Sequence, residues 1–178
     1  MLVAIAGAGN VGRSIARELI ANGHDILLIE KDRAAIKPDS VPGAVWLEAD
    51  ACELSSLEEA ELDRYDVAIA ATGDDKANLV HSLLAKTEFG VPRTVGRVNH
   101  PGNEWMFDDQ WGVDVSVSTP RLMSALVKEA VSTGDLVRLL TFTKSTTHLS
   151  EMRLPHGSSF IGRRIRDVFV VGEGYQEL

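Results

Sequence analysis

Short apolar runs alternate with amphipathic segments along the first two thirds of the chain. Six of the runs are four to six residues long and apolar nearly throughout, which is typical of strands buried on both faces of a parallel sheet. They predict strands at residues 2–6, 25–29, 44–47, 66–71, 94–98 and 113–117. The longer segments between them predict helices that cross from one parallel strand to the next.

The amphipathic segments carry start and stop signals of helices. They predict helices that start near residues 10, 55, 74, 103 and 119. Gly23 can adopt the left-handed conformation that ends the first helix. Ser55 and Ser56 each stand three residues before a glutamate, which predicts a capping box. Thr119 followed by Pro120 supplies a cap and a proline at the first helical position.

The pattern changes at about residue 135. Two short strands are predicted at residues 136–142 and 149–154, and a short helix at 159–168. We therefore predict an α/β fold, with a Rossmann-like doubly wound parallel sheet over residues 1–135. The remaining residues, 136–178, are expected to form a small, incomplete α+β appendage, because so few residues make only a marginal core alone.

The composition limits the function classes. The chain has 178 residues, is 44% hydrophobic and carries a formal net charge of −8, so a nucleic-acid partner is not expected. Its single cysteine, Cys52, excludes an internal disulfide and fits a reducing cytoplasm. No apolar run is long enough to span a membrane.

The first chemical signal is the glycine turn that follows the first strand. Gly7, Gly9 and Gly12 form a G-x-G-x-x-G sequence between a strand and an amphipathic helix. The first glycine permits the tight turn, the second lets the backbone approach a pyrophosphate, and the third lets the helix approach the strand. The N-terminal end of the helix attracts phosphate. This context predicts a nucleotide site.

An acid ends the second predicted strand. Glu30 lies about 20 residues past the glycines, where a carboxylate can accept hydrogen bonds from ribose hydroxyls and repel a 2′-phosphate. The site should therefore prefer NAD-type or ATP/ADP-type ligands to NADP. Lys31 follows directly, and its charge can offset part of that repulsion.

Polar residues follow two further strands, at the sheet edge where ligands bind in open α/β folds. Asp50 comes after the third strand, and a turn acid and a ligand contact are equally consistent with its position. The fourth strand breaks at Thr72-Gly73-Asp74, a turn that can cradle the far half of a dinucleotide or a second phosphate. Asp74 can equally be only the N-cap of the next helix.

Arg97 lies near the end of the fifth strand. Its guanidinium can neutralise a phosphate at this edge. The competing interpretation is a buried ion pair with Glu30 or Asp50. The last helix has an unusually broad apolar stripe. Two interpretations of this stripe stay open, a surface for a partner and packing on the helix's own sheet.

In this order the motifs resemble those of the regulator-of-conductance-of-K⁺ domain (RCK or KTN, also TrkA-N). Within that family they are similar to the TrkA-type regulatory subunits of bacterial Trk potassium uptake systems. The similarity covers residues 1 to about 135, and its segments are 7–12, 29–32, 48–51, 71–75, 78–79, 96–98, 101, 113–114 and 118–120. Residues 157–168 resemble the opening of the TrkA-C module, so we expect 136–178 to be a partial TrkA-C-like segment.

The resemblance implies a cytoplasmic gating subunit that controls K⁺ flux by changing shape when NAD(H) or ATP/ADP binds. It implies a homodimer assembled into a larger ring under a membrane-embedded potassium-translocating subunit, at the inner face of the membrane. Matched position by position, the phosphates would meet Gly7, Gly9, Asn10, Val11 and Gly12. The ribose would meet Glu30 beside Lys31, the adenine region Asp50 beside Ala51, the far half Thr72 and Gly73, and a phosphate Arg97.

Two other function classes share the glycine turn. An NAD-dependent oxidoreductase would need a substrate domain and a positioned acid or base, for which residues 136–178 leave little room. The five histidines have no metal-ligand spacing. An NAD(H)-sensing transcription regulator would add a DNA-binding helix-turn-helix, and none precedes the strand at residue 2. We therefore expect no enzyme.

Overall fold

A computed structural model describes residues 1–131, 136–141, 148–152, 154 and 156–164. Six parallel strands form one sheet in the order β3-β2-β1-β4-β5-β6. They are β1 (Leu2–Ala6), β2 (Asp25–Glu30), β3 (Val45–Glu48), β4 (Val67–Ala70), β5 (Arg93–Val98) and β6 (Val115–Ser118). This is the doubly wound Rossmann order, in which the chain direction across the sheet reverses between β1 and β4. The predicted fold class is confirmed.

Four helices connect or follow the strands in the described part of the chain. They are α1 (Asn10–Ala21), α2 (Leu54–Glu59), α3 (Asp75–Thr87) and α4 (Thr119–Val131). Gly23 has a φ of +81° beyond the end of α1, as its predicted role as the stop requires. Between β5 and β6 the predicted helix at 103–110 is instead two 3₁₀ segments, Pro101–Met106 and Asp109–Trp111.

The prediction of a capping box in α2 is wrong. The helix begins at Leu54, with Glu53 as its N-cap and no side-chain hydrogen bond at the cap. The N–H of Glu53 donates to the Asp50 carbonyl at 3.0 Å, so the chain turns before it reaches the serines. Ser55 and Ser56 therefore lie inside the helix.

Beyond α4 the described residues form an antiparallel hairpin. It consists of β7 (Leu136–Thr141) and β8 (His148–Met152). Residues 159–164, predicted to start a helix, form turns and a bend, and the rest of that predicted helix lies outside the described residues. The predicted boundary at residues 133–135 also lies outside them, so the division into 1–135 and 136–178 stays a prediction.

The core has two layers because consecutive residues of a strand point to opposite faces of the sheet. On β1, Val3 and Ile5 pack in a cluster with Ala16 of α1. Ala4 and Ala6 belong to a second cluster, which contains Leu57 of α2. Helices thus cover both faces, and the carboxyl ends of the strands stay open along one edge of the sheet.

The apolar stripe of α4 is largely exposed. Met123, Leu126, Val127 and Val131 have exposed fractions of 58%, 51%, 57% and 78%. These four side chains therefore do not pack on the helix's own sheet. None of the helices in the described residues is both long and apolar enough to cross a membrane.

Candidate functional site

A cleft of about 490 Å³ opens at the carboxyl edge of the sheet, where β1 to β5 end. It lies at the point where the strand order reverses, which is where ligands bind in doubly wound folds. Its lining consists of Gly7, Gly9, Ile29, Glu30, Lys31, Ala49, Asp50, Ala51, Cys52, Ala71, Thr72, Gly73, Asp74, Ala77 and Arg97. A volume of this size is typical of small-molecule sites.

The glycine turn forms the floor of the cleft, and its glycines differ in surroundings. Gly7 has a φ of +94°, and a Cβ there would lie 2.9 Å from the Cα of Thr72, so the first turn and the Thr72 turn are in backbone contact. A Cβ on Gly12 would lie 1.9 Å from the Gly7 carbonyl oxygen. A Cβ on Gly9, in contrast, would meet nothing within 4 Å, and this open space faces the cleft.

In the described residues, no side-chain hydrogen bond caps the N-terminal end of α1. Gly9 is the N-cap, and the first turn contains no acid. The positive end of the helix dipole therefore stays available to an anion. Asn10 and Val11 begin the helix outside the cleft lining, and the Asn10 Oδ1 accepts a hydrogen bond from Arg13 at 2.9 Å.

Glu30 ends β2 on the wall of the cleft and also holds the glycine turn. Its Oε2 accepts a hydrogen bond from the Ala8 N–H at 2.8 Å, and its Oε1 accepts one from the Asp32 N–H at 2.9 Å. A carboxylate has about four acceptor positions. Glu30 therefore keeps acceptors for hydroxyl donors while it fixes the backbone beside Gly9.

Asp50 follows β3 and is both a turn acid and part of the cleft wall. Its Oδ1 accepts a hydrogen bond from the Cys52 N–H at 3.0 Å, and its Oδ2 lies 3.4 Å from the Lys31 Nζ. The hydrogen bond from Cys52 lowers the pKa of Asp50 most, burial opposes this, and the charge of Lys31 lowers it further. Both interpretations of its sequence position are thus compatible with the geometry.

The Thr72 turn forms the opposite wall. Thr72 and Gly73 follow β4, and a Cβ on Gly73 would meet nothing within 4 Å. Asp74 is the N-cap of α3, and its carboxylate accepts a hydrogen bond from the Lys76 N–H at 2.8 Å. Asp74 also lines the cleft, so its cap role does not remove it from the site.

Arg97 brings a positive charge to the cleft wall. Among the described residues, its closest hydrogen-bonding contact is from NH1 to the Thr72 carbonyl oxygen, at 3.5 Å, and its buried Nε has no partner there. Within the described residues its guanidinium forms no ion pair, so the alternative of a pair with Glu30 or Asp50 is wrong. A partly buried, unpaired guanidinium is suited to binding an anion.

Two titratable groups close to Asp50 and Ala51 stay uncharged at neutral pH. Burial raises the pKa of the Cys52 thiol to about 11, and the charge of Asp50 adds to the effect. Burial lowers the pKa of His81 to about 4, and its Nδ1 lies 3.1 Å from the Ala51 carbonyl oxygen. Neither is poised as a nucleophile or general base at pH 7. No cluster of metal-ligating side chains occurs in the described residues.

Most of the predicted site residues meet at this cleft. The nine that line it are Gly7, Gly9, Glu30, Lys31, Asp50, Ala51, Thr72, Gly73 and Arg97, and the three that do not are Asn10, Val11 and Gly12. The six lining residues not predicted are Ile29, Ala49, Cys52, Ala71, Asp74 and Ala77. Five of these adjoin a predicted residue in sequence, and Ala77 lies three positions after Asp74 on α3, so strand-end and helix spacing carried the signal.

Comparison with known proteins gives a consistent result. The TrkA-N domain family model matches residues 3–119. The Trk system potassium uptake protein TrkA of Mycobacterium tuberculosis (strain H37Rv) is 56% identical over 166 residues, which cover 93% of this chain and 76% of that protein. Two solved structures are similar in fold. The crystal structure of GsuK bound to ADP is 25% identical in sequence, with a TM-score of 0.64, over 72% of this chain and 33% of that chain. The GsuK channel bound to NAD is 16% identical, with a TM-score of 0.68, over 78% of this chain and 25% of that chain.

Proposed function

Because the chain belongs to the TrkA-N domain family, we propose that it is the nucleotide-binding regulatory subunit of a potassium uptake system. In this role it binds NAD(H) or an adenine nucleotide and controls K⁺ flux through a membrane-embedded translocating subunit. It acts from the cytoplasmic side, at the inner face of the membrane, and carries out no catalytic step.

One observation carries the nucleotide site. The cleft combines open space above Gly9 with the Arg97 guanidinium, which forms no ion pair with any residue that the structure describes. Backbone N–H groups at an uncapped helix start and one free cation are the groups that bind phosphate. A similar protein, the GsuK channel, has been solved with ADP and with NAD, and this supports the same ligand class for the present cleft.

The charges of the cleft suggest how the ligand lies in it. Glu30 and Asp50 line one side, where ribose hydroxyls and the adenine region would be held. The glycine turn on the floor and Gly73 and Arg97 on the opposite wall would hold the phosphates. A 2′-phosphate beside Glu30 would meet a carboxylate, so NADPH should bind more weakly than NADH. Asn10, Val11 and Gly12 would contribute through the start of α1 rather than by lining the cleft.

Regulation requires that the nucleotide bind two arrangements of the subunit unequally, because only that difference shifts their populations.

The exposed apolar face of α4, which comprises Met123, Leu126, Val127 and Val131, supports a homodimer that builds a larger ring. The name of the similar mycobacterial protein, a Trk system potassium uptake protein, supports a potassium-translocating partner.

Two measurements test the proposal. Calorimetric titration with NADH, NAD⁺, ATP, ADP and NADPH, with the mass in solution recorded in parallel, should give nucleotide binding without turnover and an oligomeric mass. Expression in cells that lack their own Trk regulatory subunit should restore K⁺ uptake, and Arg97→Ala should reduce it. A well-folded chain that binds none of these nucleotides would refute the proposal.

A further inference from the structure

Three side chains approach the carbonyl oxygen of Thr72 on the cleft wall. The Asn99 Nδ2 lies 3.1 Å from it, the Asn78 Nδ2 3.3 Å, and the Arg97 NH1 3.5 Å. We call these four residues the Thr72 carbonyl cluster. A carbonyl oxygen has two lone pairs, so two good donors saturate it.

The Asn78 amide has a fixed orientation. Asn78 is fully buried on α3, its Oδ1 accepts a hydrogen bond from the Thr72 N–H at 2.9 Å, and its Nδ2 donates to the Arg97 carbonyl at 2.8 Å. Because one neighbour is a donor and the other an acceptor, the amide cannot be flipped without losing both bonds. Asn78 thus joins the chain just beyond β4 to the end of β5.

The Asn99 amide is held from behind by a buried carboxylate. The Asp75 Oδ1 accepts hydrogen bonds from the Asn99 N–H at 2.6 Å and from the Asn99 Nδ2 at 3.0 Å. Its Oδ2 accepts from His100 and Asn103. Burial pushes the pKa of Asp75 up, but these hydrogen bonds outweigh burial and hold it below its ordinary value. A charged Asp75 therefore points the second Asn99 amide hydrogen at the Thr72 carbonyl.

The two amides leave Arg97 the poorest position at that oxygen. Its 3.5 Å contact is at the limit of a hydrogen bond, and its buried Nε has no partner in the part of the chain that the structure describes. We propose that Asn78 and Asn99 are positioning residues that occupy the Thr72 carbonyl and so keep the Arg97 guanidinium free for the phosphates of the nucleotide. This inference rests on the proposed nucleotide site and assigns no ligand contact to either asparagine.

Removing one amide opens a lone pair on the Thr72 carbonyl, and the guanidinium then moves closer to it. That new hydrogen bond must break before Arg97 can reach a phosphate, so the affinity for phosphate-bearing ligands falls about two- to tenfold. Adenosine, which has no phosphate, loses nothing. Asn99→Ala is the first variant to make, because Asn78→Ala would also leave the buried Thr72 N–H without its acceptor and lower stability.

The test is a double-mutant cycle read by titration with ADP and with adenosine. The proteins are the wild type, Asn99→Ala, Arg97→Ala and the double variant. Ser82→Ala is a matched control, because Ser82 is buried on α3, lies outside the cleft lining, and its hydroxyl has no hydrogen-bond partner in the described residues. Thermal unfolding of each protein establishes that it is folded.

We expect Asn99→Ala to weaken ADP binding about two- to tenfold and to leave adenosine binding unchanged. In the Arg97→Ala background it should have no further effect on ADP binding. Equal losses for ADP and adenosine, or an ADP loss that persists without Arg97, would overturn the positioning role while nucleotide binding stands. A wild-type chain that binds no ADP would instead refute the proposed function itself.

Discussion

The two glycines at either end of the turn-to-helix junction make opposite predictions when each is changed to alanine. At Gly9 a Cβ meets no protein atom within 4 Å, and the φ of −66° is one that alanine adopts readily. At Gly12 a Cβ would lie 1.9 Å from the Gly7 carbonyl oxygen. Gly9→Ala should therefore affect the ligand, and Gly12→Ala the fold.

The magnitudes follow from these surroundings. Gly9→Ala lowers the entropy of the unfolded chain, which stabilises the folded protein by about 0.4–1 kcal/mol. Alanine is also a poorer N-cap than glycine, which destabilises the folded protein by a similar amount. These changes offset one another, so the unfolding free energy should move by less than about 1 kcal/mol, which is about 2–4 °C in Tm for a chain of this length. Gly12→Ala must push α1 away from the turn and should cost at least about 2 kcal/mol.

For nucleotide binding, we expect Gly9→Ala to have a large direct effect although it leaves the fold intact. The new Cβ of Gly9→Ala enters the space over the turn and prevents a phosphate oxygen from reaching the backbone. Loss of one charge-assisted hydrogen bond costs about 1.5–3 kcal/mol, or about 10- to 150-fold in Kd. Differential scanning calorimetry and ADP titration of both variants measure the two effects separately. Wild-type ADP affinity in a folded Gly9→Ala protein would refute the placement of the phosphates on this turn.

Three further outcomes are expected. Glu30→Gln should weaken NADH and reduce its advantage over NADPH, because the neutral side chain no longer repels a 2′-phosphate; titration with both dinucleotides measures this, and an unchanged ratio would contradict it. Lys31→Ala should change the unfolding free energy in urea by less than about 0.5 kcal/mol, because its 3.4 Å pair with Asp50 is exposed; a larger loss would show that the pair matters to the fold. The folded chain holds the pKa of His81 at about 4, below the ordinary value of about 6.5, so it binds fewer protons than the unfolded chain between those pH values. Stability should therefore fall as the pH drops through this range, by about 3 kcal/mol. Urea melts of His81→Asn, whose amide nitrogen matches the position of the Nδ1 that lies 3.1 Å from the Ala51 carbonyl oxygen, should lack that part of the slope.

The sheet was predictable because its strands are short, buried on both faces and separated by clear turn signals. Each predicted strand overlaps an observed one, and the acid of Glu30 and the turn at Thr72 identified the cleft edge. The exceptions have local causes. Ser55 and Ser56 matched a capping box, but the turn at Asp50 starts α2 earlier. The segment before β6 has a proline and glycines, and it forms 3₁₀ turns instead of one helix.

Other features of the site depend on contacts that no local pattern contains. Asn78 entered the sequence analysis only as part of the family resemblance, and no role followed from it. In the structure its amide joins Thr72 to Arg97, which lies 19 residues after Asn78. The partnerless Nε of Arg97 is likewise a property of the folded cleft. Sequence spacing predicted a cation at the sheet edge, and only the packing of β4, β5 and α3 shows that this cation has no ion pair among the described residues.

The contact between Gly7 and Thr72 also limits how the subunit can respond to a ligand. A Cβ added at Gly7 would lie only 2.9 Å from the Thr72 Cα. The two turns on either side of the reversal of strand order are therefore in close backbone contact. We therefore expect these two turns to move together and not to part when a ligand binds. Under the proposed function, the response to a bound nucleotide should then be a rigid-body displacement of the whole nucleotide-binding unit.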